Sequence, residues 1–518
     1  MREKPNILVI VVDCLRSDRV FSHDRTCRTP NIDKLVARGT SVPNVFVENS
    51  ITAPSFASIF TGRYAANHGV IGMVGVKLDP QAVTVADLFS ANGYNTYAEM
   101  TGPLTPLLGV DRGFSQYHFR KQQAYCFTDW GKDLIHRLRA GTFEAPYFLV
   151  VHFWEVHVPR QVQPEFDSPE FGETPYDRSI SSLDSYIGEL VEAAGEDTAV
   201  ILTADHGECV HERPAKDTLL PYFLQKLRLP PLDAEEAGAI DSTVDLMAQK
   251  PRLHAFAEEL SQIAREPEGR IGLKQRLMMM ASLLLIGLTR YRIQLGKGVQ
   301  GKSGGLANLK QKVNDVRLFL AVAMGKPEAA QLQLVKNSLN EHMLQHGYHI
   351  YDYLQRVPAV FVKEGVFPKG HRLETEVRHI DFLPTLIQAF GLETSSTGLD
   401  GSSYYEMMAN GTGEDRSIYL EARGGAQAQK VFLIRGVRRA GQKLAYAPLE
   451  PTAPIEYYNL NDDPKEQKPL SDTAYEEVAE LREEAETISR SFAQGSGASL
   501  SARENAEMVK KLQSLGYM

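Results

Sequence analysis

Four short apolar runs recur along the chain, and stretches of helical character lie between them. The runs are Asn6–Val12, Tyr147–Phe153, Ala199–Thr203 and Pro358–Val362. Short, continuous and β-branched runs are typical of strands that are covered on both faces. The helix-like stretches are Pro30–Arg38, Ala82–Ala91 and Ile180–Ala194. This alternation predicts an α/β fold around a largely parallel sheet.

Polar residues that can bind a metal ion follow three of these runs. Asp13 comes directly after the first run, His157 a few residues after the second, and Asp205 with His206 after the third. In open α/β sheets the ligand site lies outside the carboxyl ends of the strands. We therefore expect these side chains to meet at one edge of the sheet.

Thr52 is the candidate nucleophile. It precedes a helix that is predicted to begin at Pro54, because proline suits the first helical turn. A hydroxyl at this point faces free backbone N–H groups and the positive end of the helix dipole. With Asp13, Asp205 and His206 it completes a four-ligand set for a divalent ion, which would lower the pKa of the hydroxyl. The alternative is that Thr52 only caps the helix.

Charge and cysteine content exclude several classes of protein. Fifty-six Lys and Arg residues against 65 Asp and Glu give a net charge of −9, which argues against a nucleic-acid binder. The four cysteines are scattered without a CxxC pair, so neither a zinc ribbon nor a disulfide framework is predicted. The first apolar run ends at Asp13 and is too short for a secretory signal. We expect a cytoplasmic protein with reduced thiols, or one that is peripheral at the inner membrane surface.

The last hundred residues have a different pattern. Strand-like runs at 417–423, 430–437 and 442–448 predict a small antiparallel sheet. They are followed by a turn-rich stretch at 457–467 and by a charged terminal helix.

Several motifs, in this order, resemble the sulfatase-like family of the alkaline phosphatase superfamily. They are NILVIVVDCLRSD, TPNIDKLVARG, TAPSFASIFTGRYAANHGV, FLVVHFWEVHVP, ILTADHGE and HGYHIYDYLQRVPAVFV. The resemblance implies a large mixed, mostly parallel sheet with helices on both faces and a small C-terminal antiparallel subdomain. The implied domains are a catalytic domain of residues 1–212 and 346–413, a helical insertion of residues 213–345, and a C-terminal subdomain of residues 414–518.

Within this resemblance, Asp13, Asp205 and His206 match metal ligands, and Thr52 matches a nucleophile that is also a ligand. His157 matches a histidine that contacts the transferred group or the leaving oxygen. His346 matches another catalytic, anion-binding position, and His349 is the alternative substrate-binding residue for that role.

The chain departs from the family pattern in ways that bear on its chemistry. Sulfatases carry a Cys or Ser that becomes formylglycine, but Thr52 cannot form that aldehyde, and Phe56 replaces the arginine of the motif. Cys14 replaces a second acidic ligand, either as a soft ligand or as a silent packing residue, and His206 replaces an amide. We expect one divalent ion, Mn²⁺ or Zn²⁺, with Mg²⁺ as an alternative and Ca²⁺ less favoured, and no formylglycine.

The insertion is expected to form a lid over the pocket, because it interrupts the family pattern between two site motifs. Its stretch 270–318 carries a net charge of +9 around twelve uncharged, mostly apolar residues, 277–288. A membrane span needs about 20 such residues, so this segment does not cross a bilayer. Three readings stay open: an internal helical core, a peripheral contact with anionic lipid through 270–318, and a homo-oligomer contact.

The function predicted from these features is a metal-dependent hydrolase or transferase for phosphate esters. The substrate would be a small-molecule or lipid-linked anionic ester (a phosphodiester, phosphomonoester or phosphonate ester), and the intermediate a covalent phospho-threonine at Thr52. The first alternative is a sulfuric ester hydrolase that works without formylglycine. The second is a catalytically inactive binding protein on the same scaffold.

Overall fold

The predicted apolar runs form neighbouring strands of one mixed sheet in the computed structural model. The structure describes residues 4–121, 124–210, 218–219, 346–394, 398–424, 433–470, 476–492 and 498–514. The predicted helical insertion 213–345, with its basic stretch 270–318, therefore lies outside the described residues except for positions 218–219. Within the described part, no helix is long and apolar enough to cross a lipid bilayer.

Fifteen strands are present in the described ranges. They are β1 (Ile7–Val12), β2 (Thr40–Phe46), β3 (Val76–Lys77), β4 (Asn95–Met100), β5 (Gln116–Phe119), β6 (Tyr147–Phe153), β7 (Ala199–Ala204), β8 (Arg356–Val362), β9 (His371–Arg372), β10 (Val377–Arg378), β11 (Ile418–Ala422), β12 (Ile434–Arg439), β13 (Gln442–Tyr446), β14 (Glu456–Asn459) and β15 (Ala498–Ser499).

Nine of these strands form the large sheet, in the order β10-β2-β8-β7-β1-β6-β4-β5 with β9 beside β2. Strand β1 pairs in parallel with β6 on one side and β7 on the other. Among the nine strands of this sheet, only β8 runs antiparallel to the others, pairing with β7 and β2. The predicted mixed, mostly parallel sheet is thus confirmed. Because β8 is reversed, the chain that leads into it lies at the edge where β1, β6 and β7 end.

Twelve α-helices accompany the strands of the described residues. They are α1 (Asp18–Phe21), α2 (Pro30–Arg38), α3 (Thr52–Thr61), α4 (Ala65–His68), α5 (Val85–Ala91), α6 (Asp129–Arg139), α7 (Pro175–Ala194), α8 (Asp352–Gln355), α9 (Phe382–Phe390), α10 (Tyr405–Asn410), α11 (Glu476–Ser491) and α12 (Ala502–Ser514). Short 3₁₀ turns occur at Pro106–Leu108, Pro164–Phe166, Pro169–Phe171 and His379–Asp381.

The helices cover both faces of the sheet in two groups. Helix α7 packs with α2 and α6, whereas α3 packs with α4, α5 and α9. The central strands β1, β6 and β7 are mostly apolar, and every residue in them is buried. Helix α2 has the predicted bounds, while α5 and α7 begin at Val85 and Pro175, where the capping boxes of Thr84 and Thr174 fix their first turns.

A separate antiparallel sheet, β11-β12-β13-β14, forms from the C-terminal part of the chain as predicted. Helix α11 packs on it through Val478, Leu481 and Ala485. The prediction of a turn at the start of 457–467 was wrong for its first residues, because Glu456–Asn459 forms strand β14. Tyr457 and Tyr458 are buried on opposite faces of that strand, a pattern that the adjacent turn residues conceal.

Candidate active site

Asp13 and Asp205 emerge side by side at the carboxyl edge of the large sheet. Their strands are direct neighbours, with Val12 opposite Ala204 in the register, so the next residue of each strand leaves the sheet at the same level. Both carboxylates are fully buried. The backbone N–H of Cys14 donates to Asp205 Oδ1 at 3.2 Å, which ties the two strand ends together. The predicted meeting of polar residues at this edge is therefore present.

Thr52 lies in the first turn of α3 and points into this group. The helix begins at Thr52 itself with Ile51 as its N-cap, so the predicted start at Pro54 was wrong by two residues. The Thr52 hydroxyl lies 3.5 Å from Asp13 Oδ2 and 3.3 Å from His206 Nε2. Ile51, not Thr52, holds the N-cap position, so the capping alternative does not describe this side chain.

The four predicted ligand residues fit a divalent cation. Ligands bound at about 2.0–2.2 Å to a tetrahedral ion lie roughly 3.3–3.6 Å from one another. His206 Nε2 lies 3.4 Å from Asp205 Oδ2 and 3.8 Å from Asp13 Oδ1, in the same range as the two contacts of Thr52. Asp205 Oδ2 is buried and accepts no hydrogen bond from any described residue, which is costly unless a cation faces it. The donor set is rich in oxygen, with one imidazole nitrogen.

The electrostatics of the buried carboxylates also favour a cation. Burial alone would raise the pKa of Asp13, but the hydrogen bond from His152 and the nearby imidazoles of His157 and His206 hold the pKa well below its usual range. Burial and the neighbouring Asp13 raise the pKa of Asp205 above its ordinary value. Burial would lower the pKa of His206, but both aspartates raise it. A bound cation would relieve the repulsion between the two carboxylates.

His206 is oriented by its own backbone. Its Nδ1–H donates to the carbonyl of Gly207 at 2.9 Å, which leaves Nε2 as the nitrogen that faces Thr52 and the aspartates. Gly207 N in turn donates to Leu354 O at 2.8 Å, just ahead of strand β8. No side chain fits at position 207, because a Cβ there would lie 2.1 Å from the carbonyl oxygen of Tyr353.

Cys14 contacts the candidate metal ligands. Its backbone has φ = +63°, an uncommon conformation outside glycine and asparagine. The thiol donates to Asp13 Oδ1 at 3.1 Å and lies 3.8 Å from His206 Nδ1. Burial and the surrounding carboxylates raise the pKa of Cys14 well above its ordinary value, so the thiol keeps its proton in the absence of a cation.

His152 is a site residue that the sequence reasoning missed. It lies within β6, fully buried, and its Nε2–H donates to Asp13 Oδ2 at 3.2 Å. The ring also meets Phe56 edge to face, with centroids 4.8 Å apart. Phe56 occupies the position at which the family motif has arginine. His152, which packs against Phe56, donates a hydrogen bond to Asp13. The available signal was a histidine inside an otherwise apolar strand that neighbours the strand of Asp13.

His157 and His346 lie next to each other at the site. His157 is buried and stacks on Trp154 at 4.1 Å, and burial lowers its pKa to about 4, so the ring is neutral near pH 7. The His346 ring stacks on His206 at 4.6 Å and lies 5.3 Å from the ring of His157. His349, the predicted alternative, instead packs against the rings of Tyr351 and Tyr353, at 5.0 and 5.5 Å.

The segment that carries His346 is held between the two sheets. Gly347 N donates to Ser50 Oγ at 2.9 Å, two residues before Thr52 in the chain. On the other side, buried Lys443 of β13 donates to the carbonyl of Ile350 at 2.6 Å and pairs with Asp352 at 2.8 Å. The C-terminal sheet therefore fixes this segment at the rim of the active site.

Comparison with known proteins supports the resemblance. Residues 5–251, a range that includes Asp13, Thr52, His157, Asp205 and His206, match the family model Sulfatase. This match covers just under half of the chain and confirms the resemblance to the sulfatase-like family. The sulfatase-like chain is 28% identical to arylsulfatase A of Homo sapiens over 264 residues, which cover 39% of this chain and 52% of that protein. It is 35% identical to the steryl-sulfatase of Rattus norvegicus over 103 residues, or 18% of each chain.

Solved structures support the same fold over nearly the whole length. The crystal structure of Ps i-CgsB in complex with k-i-k-neocarrahexaose matches with a TM-score of 0.58 and 18% identity, over 98% of both chains. The phosphonate monoester hydrolase of Agrobacterium radiobacter matches with a TM-score of 0.57 and 16% identity, over 94% of this chain and 95% of that one. At these identities the similarity establishes the fold alone. The chain also spans only about half of the length of arylsulfatase A.

Proposed function

We propose that this protein is a metal-dependent ester hydrolase or transferase in which Thr52 attacks the phosphorus of a phosphate or phosphonate ester. One observation carries the proposal: the Thr52 hydroxyl lies 3.3 Å from His206 Nε2 and 3.5 Å from Asp13 Oδ2, at the start of helix α3. The helix N-terminus favours negative charge on the attacking oxygen and on the transferred group. A nucleophilic hydroxyl needs such an environment, because it is weak at its ordinary pKa.

The site residues have distinct proposed roles in this reaction. A divalent ion held by Asp13, Thr52, Asp205 and His206 would supply positive charge beside the nucleophile and the phosphoryl oxygens. Thr52 Oγ1 forms a bond to phosphorus while the bond from phosphorus to the leaving oxygen breaks. The hydroxyl proton goes to solvent, and the leaving alkoxide takes a proton from water. Water, or an acceptor alcohol, then attacks the phospho-threonine and regenerates the hydroxyl.

His157 and His346 are proposed to contact the transferred group and the leaving oxygen. The Nδ1–H of His157 donates to the carbonyl of Val158, so its Nε2 is an acceptor when the ring is neutral. This nitrogen would accept a hydrogen bond from a hydroxyl of the substrate or from the incoming water. His346 is less buried than His157, so it suits a position where the leaving group meets solvent.

Sulfate ester hydrolysis is the second candidate. It is favoured by the names of the curated relatives, which are arylsulfatases, steryl-sulfatases and iduronate 2-sulfatases. Against it stands Thr52, because threonine cannot provide the formylglycine aldehyde. A sulfatase built on this chain would therefore have to use the threonine hydroxyl directly.

The test is a substrate panel with matched variants. Aryl phosphate monoesters and diesters, aryl phosphonate esters and aryl sulfates would each be assayed with Mg²⁺, Mn²⁺, Zn²⁺ and Ca²⁺. Thr52→Ala should lose at least about 10³-fold in kcat, whereas Thr52→Ser should keep measurable turnover. Thr61→Ala is the matched control, because Thr61 is a buried threonine of the same helix whose hydroxyl donates to the carbonyl of Ala57.

Each outcome of the panel is decisive. Turnover that is dominated by aryl sulfate would favour the second candidate. Thr52→Ala activity within tenfold of wild type would overturn the nucleophile assignment. Metal binding without turnover of any ester would favour a binding protein on this scaffold.

A further inference from the structure

We propose that the chain has a second cation site, formed by Cys14, His157 and His346, for a soft divalent ion such as Zn²⁺. One ligand atom from each of these residues lies within 4.8 Å of the other two. Cys14 and His157 are buried, whereas His346 is partly exposed, so the ion would be reached from the side of His346. The proposal does not depend on which group acts as the nucleophile. An ion held there would occupy the lone pair of His157 Nε2, so the direct substrate contacts proposed above for His157 and His346 apply to the chain without this ion.

The separations are close to those of a bound zinc ion. Sulfur at about 2.3 Å and nitrogen at about 2.0–2.1 Å from a tetrahedral ion lie roughly 3.3–3.7 Å apart. The three ligand atoms lie within 4.8 Å of one another, so they must move closer together to reach these separations. Shifts of about 1 Å at the ends of the side chains are sufficient. Three protein ligands would leave a fourth position for water or a substrate oxygen, the usual arrangement of a catalytic zinc ion.

The orientation of His157 is that of a metal ligand. A backbone carbonyl can only accept a hydrogen bond, so the contact of Nδ1 with Val158 O places the proton on Nδ1. Nε2 then carries the lone pair. Metal-binding histidines usually donate their other N–H to a carbonyl or a carboxylate in this way. His206 makes the same arrangement with the carbonyl of Gly207, and the stack on Trp154 fixes the ring plane of His157.

Cys14 is held in place by its backbone. The left-handed conformation at φ = +63° is unfavourable for a cysteine, and it sets the thiol beside Asp13 Oδ1 at 3.1 Å. On binding Zn²⁺ the S–H bond breaks, the proton goes to solvent, and a Zn–S bond forms with no change of oxidation state. A thiolate with two imidazoles selects zinc and other soft ions over Mg²⁺ and Ca²⁺.

Asp13 would lie between the two sites. Its Oδ2 faces Thr52 at 3.5 Å and His152 at 3.2 Å, whereas its Oδ1 faces the thiol of Cys14. Paired ions in hydrolases are about 3.5–4 Å apart and are commonly joined by such a carboxylate. The first site is rich in oxygen and the second in sulfur and nitrogen, so the two should differ in metal preference.

The test counts ions and detects the thiolate directly. The metal-free full chain would be titrated with Co²⁺ and with Zn²⁺, with bound metal measured by elemental analysis and the sulfur-to-cobalt charge-transfer absorption followed in the near ultraviolet. Wild type should bind two equivalents and show the band. Cys14→Ser and His346→Asn should each bind one equivalent, and the band should vanish in the cysteine variant. Asp205→Asn should also bind one equivalent but keep the band.

Two controls guard the interpretation. Cys27→Ser removes another buried thiol, which contacts the carbonyl of Arg19, and should behave as wild type. Cys14→Asn suits the left-handed backbone, so it reports loss of the thiol in a chain that still folds, as circular dichroism would verify. One equivalent in wild type, no band in wild type, or loss of the band in Asp205→Asn would overturn the proposal. These readouts do not involve turnover, so they stand or fall apart from the proposed function.

Discussion

Replacing His152 by phenylalanine should destabilise the apo protein through Asp13. The side chain is fully buried, and its Nε2–H is a donor to the carboxylate at 3.2 Å. Phenylalanine keeps an aromatic ring that can maintain the edge-to-face contact with Phe56, although the ring is larger than imidazole. The substitution therefore removes the hydrogen bond, and its packing cost is shared by both backgrounds of a double-mutant cycle.

The expected loss follows from the charge of the acceptor. A hydrogen bond to a charged group contributes about 1.5–3 kcal/mol, and a buried carboxylate left without its donor also keeps its desolvation cost. Thr52 and Cys14 still contact Asp13 in the variant. We therefore expect the free energy of unfolding to fall by about 2–3 kcal/mol at pH 7. The loss should shrink as the pH falls below about 4, because stability from a carboxylate with a lowered pKa disappears when the carboxylate is protonated.

The assay is urea unfolding of the metal-free protein in a double-mutant cycle. Wild type, His152→Phe, Asp13→Asn and the double variant are compared under the same conditions. The His152→Phe loss should be smaller in the Asp13→Asn background by about 1.5 kcal/mol or more, since the charged acceptor is gone. A loss below about 0.5 kcal/mol in the wild-type background, or equal losses in both backgrounds, would refute the assigned role of His152.

Three further predictions concern other parts of the site and its surroundings. Burial and the neighbouring Glu421 raise the pKa of Glu48 to about 8, so its proton stays bound in the folded chain and stability should fall as the pH rises from about 4.3 towards 8. Glu48→Gln should reduce this fall by up to about 1.4 kcal/mol per pH unit. Plots of unfolding free energy against pH that run parallel for variant and wild type would contradict the prediction. Gly207→Ala should lower the free energy of unfolding by about 1–3 kcal/mol, because its Cβ would meet the carbonyl oxygen of Tyr353 at 2.1 Å. It should also weaken Zn²⁺ binding in calorimetric titrations. Unchanged affinity would show that the backbone at Gly207 does not position the metal ligands. Cys14→Asp should shift preference from Zn²⁺ towards Mg²⁺ and Ca²⁺ in competition titrations, and an unaltered order of affinities would count against Cys14 as a ligand.

The four central strands of the large sheet, β8, β7, β1 and β6, could be predicted from the sequence because they are apolar and buried on both faces. Tyr147–Phe153 has the predicted bounds, and the other three runs differ by one or two residues at their ends. Strand β14 was missed because Glu456–Asn459 is polar at its ends and runs into turn residues. Its Glu456 is buried with hydrogen bonds from Tyr458 of the same strand and from Tyr351, which lies 105 residues away in the sequence and which no local pattern reveals.

The candidate site could be predicted where a residue directly follows a strand. Asp13, Asp205 and His206 meet because β1 and β7 are neighbours, which the alternation of strands and helices suggests. His152 could not be predicted in this way, because its contact depends on β6 being the other neighbour of β1, with Val11 opposite His152. The role of Cys14 depends on its backbone angle, and cysteine residues rarely adopt a positive φ.

The most direct test of the central claim is detection of a phosphorylated Thr52. The full chain would be mixed with an aryl phosphate or phosphonate ester in the presence of Mn²⁺ or Zn²⁺, quenched in acid within one turnover, and digested for mass spectrometry. We expect a phosphoryl group, or the corresponding phosphonyl group, on the peptide that contains Thr52. We expect no such adduct in Thr52→Ala and an unaltered yield in Thr61→Ala. Rapid turnover of the ester with an unmodified Thr52 peptide at every quench time would contradict the assignment of Thr52 as the nucleophile.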